Sequence, residues 1–523
     1  MINDSTNSDD LQHSEGSLSW RELLIVAALS AVLVYAAAAW VYAHGFTLYY
    51  GDAQAHLNLS RAIVDSRSPG YGQLGNVWLP MLHVLCLPFV GNNFLWSSGL
   101  AGAIPAASCF ALAATFFYLA ARELYGAVLP AAVTVACFSL NPNILYLASI
   151  PMTESVFFAG ISVQLFSLLR FRTTQSMKYV IIAAVASLWS SLTRYDGWFL
   201  IPFVALGFLL FARQNKAKIA LIFAVFASLA PLYWVAHNWW ETGDALDFYR
   251  GPYSAKGIYQ RGLNAGEPRD PVDHHLAVAA EYYLAAGRLC AGWPLLLLGA
   301  AGTIAAIVKR RYDAILFLAL TPSFYVWSMY STGQPIHVPN LSPFSYYNTR
   351  YALALVPLCA FGAGALVLTL PRKVSRLAGC LPLCAILPWL LSPSHENWIC
   401  WKESQYNSVS RRFWTAEVAK FFQKNYHSGE GILYSDGDVS GVFCRARIPL
   451  SETLRPGDGP AWLVNNYHPE LLRTCLWAVV VEADRDLLAR PMDKANWRKT
   501  VYQAVLEIHT KDDPVVRVYR RAW

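Results

Sequence analysis

The strongest constraint on this chain is a succession of apolar runs, each about as long as a bilayer is thick. A helix needs about 20 apolar residues to cross the hydrocarbon core. Runs of that order lie at 22–43, 95–121, 127–147, 155–171, 178–193, 198–212, 217–236, 289–308, 312–330, 350–370 and 375–391. Inside lipid every backbone N–H and C=O must find a partner within the segment, so such runs fold as helices. The expectation is an α-helical polytopic membrane protein of about eleven transmembrane helices. Charge agrees with this: 14% of the residues are charged, where soluble chains carry about 25%.

The first run follows a polar segment rich in Ser and Asp and lacks a small-residue cleavage site. It reads as a retained helix, not a signal peptide. A shorter run at 78–90 is interrupted by Pro80 and Pro88 and reads as a re-entrant or interfacial helix on the outer side. Four basic clusters punctuate the runs: Arg170, Arg172 and Lys178; Arg213, Lys216 and Lys218; Lys309, Arg310 and Arg311; Arg372, Lys373 and Arg376. With eleven spans all four fall on one side, and an excess of Lys and Arg marks the cytoplasm. The tail 1–21 is then cytoplasmic and the membrane domain covers 22–391. Loops 44–94, 237–288 and 331–349, together with residues 392–523, lie outside the cytoplasmic (inner) membrane. The net charge of +7 sits in these topology clusters, which argues against a nucleic-acid partner.

The segment 392–523 reads as a small α/β domain. An amphipathic helix is expected near 411–425, and strands at 431–435, 461–465, 476–482 and 514–519. Turns fall at Asp436–Gly437 and Asp458–Gly459. Cys86, Cys109, Cys137, Cys359, Cys380 and Cys384 lie in apolar stretches and read as packing residues. Cys400, Cys444 and Cys475 fall in the tail, where an oxidising compartment would allow one disulfide among them.

Charged residues near membrane depth are costly and usually functional. Four motifs place them at outer ends of spans. Tyr50-Gly51-Asp52-Ala53-Gln54-Ala55-His56 follows the first span. Asp52 and His56 share a helix face, and a carboxylate there can take a proton from an acceptor hydroxyl. Equally, Asp52 could only cap the helix that follows. His56 could orient the carboxylate, bind phosphate or ligate a metal. Pro151-Met152-Thr153-Glu154 offers a second carboxylate or a plain helix start. Thr193-Arg194-Tyr195-Asp196-Gly197-Trp198 puts a charge pair in a tight outer turn. Tyr346-Tyr347-Asn348-Thr349-Arg350-Tyr351 opens a span with an arginine whose fork suits phosphate, or which snorkels to the interface. No glycine-rich phosphate cradle and no cytoplasmic Asp-x-Asp pair is present, so a soluble nucleotide-sugar donor is not suggested.

These motifs, with Trp78-Leu79-Pro80-Met81-Leu82-His83, resemble the GT-C superfamily of integral membrane glycosyltransferases. The similarity is to the branch of the protein O-mannosyltransferases and the lipid A aminoarabinose transferase, glycosyltransferase family 39-like, and covers about three quarters of the chain. The resemblance implies an inverting transfer of a sugar from a polyprenyl-phosphate donor to an acceptor hydroxyl on a lipid, glycan or protein. It implies Asp52 as the catalytic residue, Glu154 as the second acidic residue, and Arg350 and Arg194 on the donor phosphate. His56, Asp196, Tyr50, His83 and Tyr347 are expected to bind or orient substrate. A divalent metal is compatible with this set. The mannosyltransferases carry an acidic pair in the first loop, whereas Asp52 is followed by Ala53, which counts against protein mannosylation. Two other readings are a transporter or flippase of lipid-linked sugars, which calls for charges near mid-membrane, and a non-catalytic assembly partner acting through the tail.

Overall fold

The computed structural model describes residues 19–331, 335–371, 376–468, 474–482, 486–494, 496–511 and 514–522. Nearly all of the tail 1–21 expected in the cytoplasm, and Arg372 and Lys373 of the fourth basic cluster, lie outside them. Helix α1 (Trp20–Ala43) starts at Ser19, whose hydroxyl accepts from the Arg21 N–H at 3.3 Å. Leu24, Ile25, Leu29 and Val32 on its outside are exposed, while Val34 and Val41 are buried against the bundle. Apolar residues on every side are what a helix facing lipid requires.

After α1 the chain forms α2 (Gly51–Val64), the short α3 (Met81–Val90), α4 (Asn93–Ser98) and the long α5 (Leu100–Tyr125). Next come α6 (Val128–Ser139) and α7 (Pro142–Ala148), bent by 66°. The bend is written in the sequence. Asn141 caps α7, accepting from the N–H groups of Asn143 and Ile144 at 3.0 and 3.2 Å, and Pro142 takes the first helical position. Then follow α8 (Glu154–Thr174), α9 (Met177–Ser191), α10 (Asp196–Phe211) and α11 (Lys216–Thr242). The loop after α11 carries α12 (Asp247–Arg250) and α13 (Ala255–Asn264). A single expected run at 289–308 is in fact two helices, α14 (Leu276–Ala291) and α15 (Trp293–Val308), meeting at 109°. Gly292 makes this corner at φ +78°, a conformation side chains disfavour. Helix α16 (Asp313–Tyr330), a 3₁₀ turn (Thr349–Ala354) and α17 (Leu355–Val367) complete the main bundle. The expected run 375–391 is broken into the 3₁₀ turn Arg376–Cys380 and two five-residue helices, each with a proline near its start.

Among the described residues five helices are long and apolar enough to cross a membrane, or up to seven if each bent pair is one span. The chain is a multi-pass membrane protein. Small residues let α15 and α17 approach closely. A methyl group added at Gly302 would lie 1.7 Å from the Gly362 carbonyl oxygen, and one added at Gly299 would lie 2.6 Å from the Cys359 Cβ. Lipid supplies no hydrophobic drive between helices, so backbone contact of this kind carries the packing.

The C-terminal domain holds a five-stranded sheet in the order β2-β1-β3-β5-β4. The strands are β1 (Ile432–Tyr434), β2 (Thr453–Leu454), β3 (Trp477–Val481), β4 (Tyr502–Ile508) and β5 (Val516–Arg521). Both β2 and β3 run parallel to β1, while β5 is antiparallel to β3 and β4. The strand expected at 461–465 is instead part of the helix Pro460–Tyr467. All ten cysteines are free, and Cys400, Cys444 and Cys475 are buried thiols. Cys380 and Cys384 are exposed, against the expectation of packing. The domain is fastened to the end of α2. Asp65 accepts from the N–H groups of Leu450 and Ser451, and Arg67 donates to the Thr453 carbonyl at 2.9 Å.

Candidate active site

Three helices begin at one place, and each has an acid in its first turn: Asp52 in α2, Glu154 in α8 and Asp196 in α10. A carboxylate is favoured there by the positive end of the helix dipole. None of the three caps through its side chain. Tyr50, Thr153 and Tyr195 hold the cap positions without side-chain hydrogen bonds to the helix. The carboxylates are turned toward two arginines.

Arg350 stands in the 3₁₀ turn ahead of α17. Its Nη2 donates to Asp52 Oδ2 at 2.5 Å, and its Nε and Nη1 lie 3.2 Å from Glu154 Oε1 and 3.5 Å from Glu403 Oε1. Arg194 lies alongside. Its Nη1 reaches Thr153 Oγ1 at 2.8 Å and Glu154 Oε1 at 3.2 Å, and its Nε is 3.4 Å from Asp196 Oδ1. Tyr325 joins this half by accepting from Arg194 Nη2 at 2.7 Å and donating to Asp196 Oδ2 at 3.0 Å. The Tyr351 ring is shared, 4.9 Å from the Arg194 guanidinium and 5.1 Å from that of Arg350. Arg350 is buried and bound on three sides, so it does not snorkel.

Four carboxylates thus face two guanidiniums, a formal balance of 2 − 4 = −2 with every group ionised. Replacing buried ion pairs with apolar residues is often neutral or stabilising, so such a cluster is poorly explained by stability. Glu403 comes from the C-terminal segment (helix Ile399–Tyr406) and is buried. Its oxygens accept from the N–H groups of Asn348 and Thr349 at 3.1 and 2.8 Å and from the Thr349 hydroxyl at 2.5 Å. Burial pushes its carboxyl above the ordinary range, opposed by the Arg350 charge and the Thr349 hydrogen bonds.

The cluster opens into a cavity of about 1330 Å³. Asp52, Arg194 and Arg350 lie at its floor, with Asp52 the most open of the acids in the ion pairs: 38% of its side chain is exposed, against 6% for Glu154 and 2% for Asp196. The loop before α3 and the α12–α13 loop form its sides, and Tyr434, Asp436 and Arg455 of the C-terminal domain form its roof. His56 lines the wall with its ring 4.3 Å from Trp78, and its Nδ1 is 2.9 Å from His83 Nε2. Burial, aided by the charges of Arg350 and Arg194, pushes His56 down to about 3, so it is neutral. His83 is fully buried behind it and away from the cavity lining. Tyr50 packs its ring 5.2 Å from the Arg350 guanidinium, and its hydroxyl is buried without a hydrogen-bond partner. Tyr347 lines the cavity and is half-exposed.

The sequence pointed to none of Glu403, Tyr325 and Arg455, and it named Tyr351 only as the end of the Arg350 motif. Their one signal is a polar or charged side chain beside apolar neighbours, as in Ile399-Cys400-Trp401 ahead of Glu403, and that signal is shared by many structural residues. Among the described residues no group of three or more His, Cys, Asp or Glu side chains is arranged to hold a metal ion.

No protein-family model and no curated protein matches the sequence. Solved structures do match the fold. ArnT from Cupriavidus metallidurans bound to undecaprenyl phosphate superposes with a TM-score of 0.55 at 14% identity, over 93% of this chain and 97% of that one. Its apo state gives 0.54 at 15% identity over the same shares. An oligosaccharyltransferase from Archaeoglobus fulgidus gives 0.40 at 13% identity, over 94% of this chain and 72% of its own. The superposition on ArnT covers nearly the whole of both chains, and on that ground this chain has the fold of ArnT.

Proposed function

We propose that this protein is an inverting membrane glycosyltransferase with an outer-face active site. It moves a sugar from a polyprenyl-phosphate donor to an acceptor hydroxyl. The eleven-span topology, with the N-terminus in the cytoplasm and the C-terminal domain outside the inner membrane, is part of this reading. The observation that carries it is the position of Asp52. It is the most open carboxylate of the ion-paired set, it lies on the cavity floor, and it is paired with Arg350. The ArnT structure with undecaprenyl phosphate supports a lipid-linked donor by fold.

In the proposed reaction the acceptor oxygen attacks the anomeric carbon. Its proton passes to Asp52, and the bond from the anomeric carbon to the phosphate oxygen breaks. The electron pair leaves with polyprenyl phosphate, whose charge Arg350 and Arg194 balance. Glu154 and Asp196 hold the two guanidiniums in place, and neutral His56 shapes the wall beside Asp52.

The test is direct. Lipids co-purifying with the protein are identified by mass spectrometry, and the recovered lipid is offered back as donor to membranes with the protein overexpressed. A polyprenyl phosphate bearing one sugar, consumed with release of polyprenyl phosphate, is the expected result. Recovery of only bulk phospholipid, with no turnover of added polyprenyl-phosphate sugars, would overturn the reading.

A further inference from the structure

The cavity roof has a built polar site that the transfer chemistry does not use. Strands β1 and β2 are parallel neighbours, and their carboxyl ends point into the cavity. In open α/β sheets such strand ends are where ligands bind. Just beyond β1 come Asp436 and Gly437, and just beyond β2 come Arg455, Pro456 and Gly457.

Arg455 is 6% exposed. Its Nη1 donates to Asp436 Oδ1 at 3.0 Å, its Nη2 donates to Gln73 of the outer loop before α3, and its Nε is buried with no hydrogen-bond partner. The side chain of Asp436 stays 38% exposed beside it. Also lining the cavity are Tyr253, between α12 and α13, and Tyr249 of α12, whose ring has the Lys256 ammonium 4.7 Å from its centre; both are about half exposed.

We infer that this roof is the acceptor subsite and that it takes a neutral, hydroxyl-rich saccharide; the inference rests on the glycosyltransferase reading above. A carboxylate and an arginine side by side accept from and donate to vicinal hydroxyls. Tyrosine rings offer flat faces to the C–H side of a sugar ring. Charge sets the class. The cavity is lined by six carboxylates (Asp52, Asp196, Glu241, Asp247, Glu267 and Asp436) and four cations (Arg194, Lys256, Arg350 and Arg455), a formal 4 − 6 = −2. Without the paired Asp52, Asp196, Arg194 and Arg350 of the ion-pair cluster, the rest of the lining carries a formal 2 − 4 = −2, so it disfavours an anionic acceptor.

The experiment uses the full chain in detergent and saturation-transfer NMR. The probes are methyl α-D-glucopyranoside, methyl α-D-mannopyranoside and the anionic methyl α-D-glucuronide. Undecaprenyl phosphate binding is measured on the same samples. Wild type should saturate at least one neutral glycoside, with the glucuronide at least fivefold weaker. Asp436→Asn should weaken that glycoside at least fivefold and leave undecaprenyl phosphate binding unchanged. Tyr253→Leu should do the same and decides the matter if Asp436→Asn fails to fold. Unchanged glycoside binding in the folded variants, equal binding of the glucuronide, or no glycoside binding by wild type would overturn the subsite. Failure of the parent reading looks different: wild type would neither bind undecaprenyl phosphate nor transfer sugar, whatever the roof binds.

Discussion

Changing Asp52 to Asn alters one atom of the proposed centre and little else. The side chain keeps its size, and its amide oxygen can still accept from Arg350 Nη2, now at 2.5 Å from Oδ2. What is lost is the charge. Because 38% of the Asp52 side chain is exposed, solvent screens the pair and the stability cost should be about 1 kcal/mol or less. The helix is also indifferent, since Asp52 makes no cap bond to α2. The rate behaves otherwise. An amide cannot take a proton usefully near neutral pH, and removing a general base costs roughly a hundredfold or more, about 2.7 kcal/mol of barrier. The assay compares sugar transfer by wild type and Asp52→Asn in membranes, with expression matched and donor binding measured in parallel. Near-wild-type transfer in a folded, donor-binding Asp52→Asn protein would refute the assignment and move the role to Glu154.

Further outcomes follow from the same geometry. Arg350→Lys keeps a positive charge but loses the fork; donor affinity should fall by the equivalent of one charge-assisted hydrogen bond, about 1.5–3 kcal/mol, and unchanged affinity in a binding assay would remove Arg350 from the phosphate site. Gly302→Ala places a methyl group against the Gly362 carbonyl and should cost about 1–3 kcal/mol as overpacking, whereas Gly379→Ala, whose methyl would meet no atom of the described residues within 4 Å, should leave the melting temperature unchanged. Buried His56 holds its proton far less tightly folded, at about 3, than at its ordinary 6.5; the unfolded chain then binds more protons in acid, so stability is full above about pH 6.5 and falls as the pH drops toward 3. Between pH 7 and pH 5 the loss from His56 is about 2 kcal/mol, and His56→Gln should flatten that part of the melting-temperature profile. A reporter active only in the cytoplasm, fused after Trp523, should be silent, and activity there would invert the proposed topology.

The site was legible in the sequence to the extent that its residues stand at the ends of apolar runs. Asp52, Glu154, Arg194, Asp196 and Arg350 each interrupt or border such a run, and a charge in that position is conspicuous because lipid makes it expensive. Glu403 was not legible. It meets Thr349 only because the chain returns across 54 positions, and no local pattern records a return. Tyr325 was hidden for the opposite reason: it lies inside the apolar helix α16, where an aromatic residue is unremarked. The fold shows the same limit. The run expected at 127–147 as one span is bent by 66° at Asn141-Pro142, a cap followed by a helix start that the apolar pattern masks. The corner at Gly292 was missed as well, because a single glycine in an apolar run is compatible with an unbroken span. The expected strand at 461–465 failed because Trp462, Leu463 and Val464 form a short apolar block that fits either period, and Pro460 at the helix start decides it.

On the proposed reading, the excess of acid over base in the centre couples donor binding to catalysis. Before donor binds, Arg350 is engaged by Asp52, Glu154 and Glu403. While the guanidinium holds Asp52 Oδ2 at 2.5 Å, that oxygen is not free to meet an acceptor hydroxyl. An arriving phosphate is a stronger claimant for a two-pronged donor. Of the three acids only Asp52 opens to the cavity, while Glu154 and Glu403 are buried on the far side, so Asp52 is the partner a phosphate can displace. The exchange would put negative charge on Arg350 where the leaving group needs it. It would also free Asp52 Oδ2 beside the acceptor hydroxyl. Glu403 has a matching part in this arrangement. With its oxygens already committed to Asn348 and Thr349, it anchors the turn that carries Arg350 and leaves the outward face of the guanidinium to trade one anion for another.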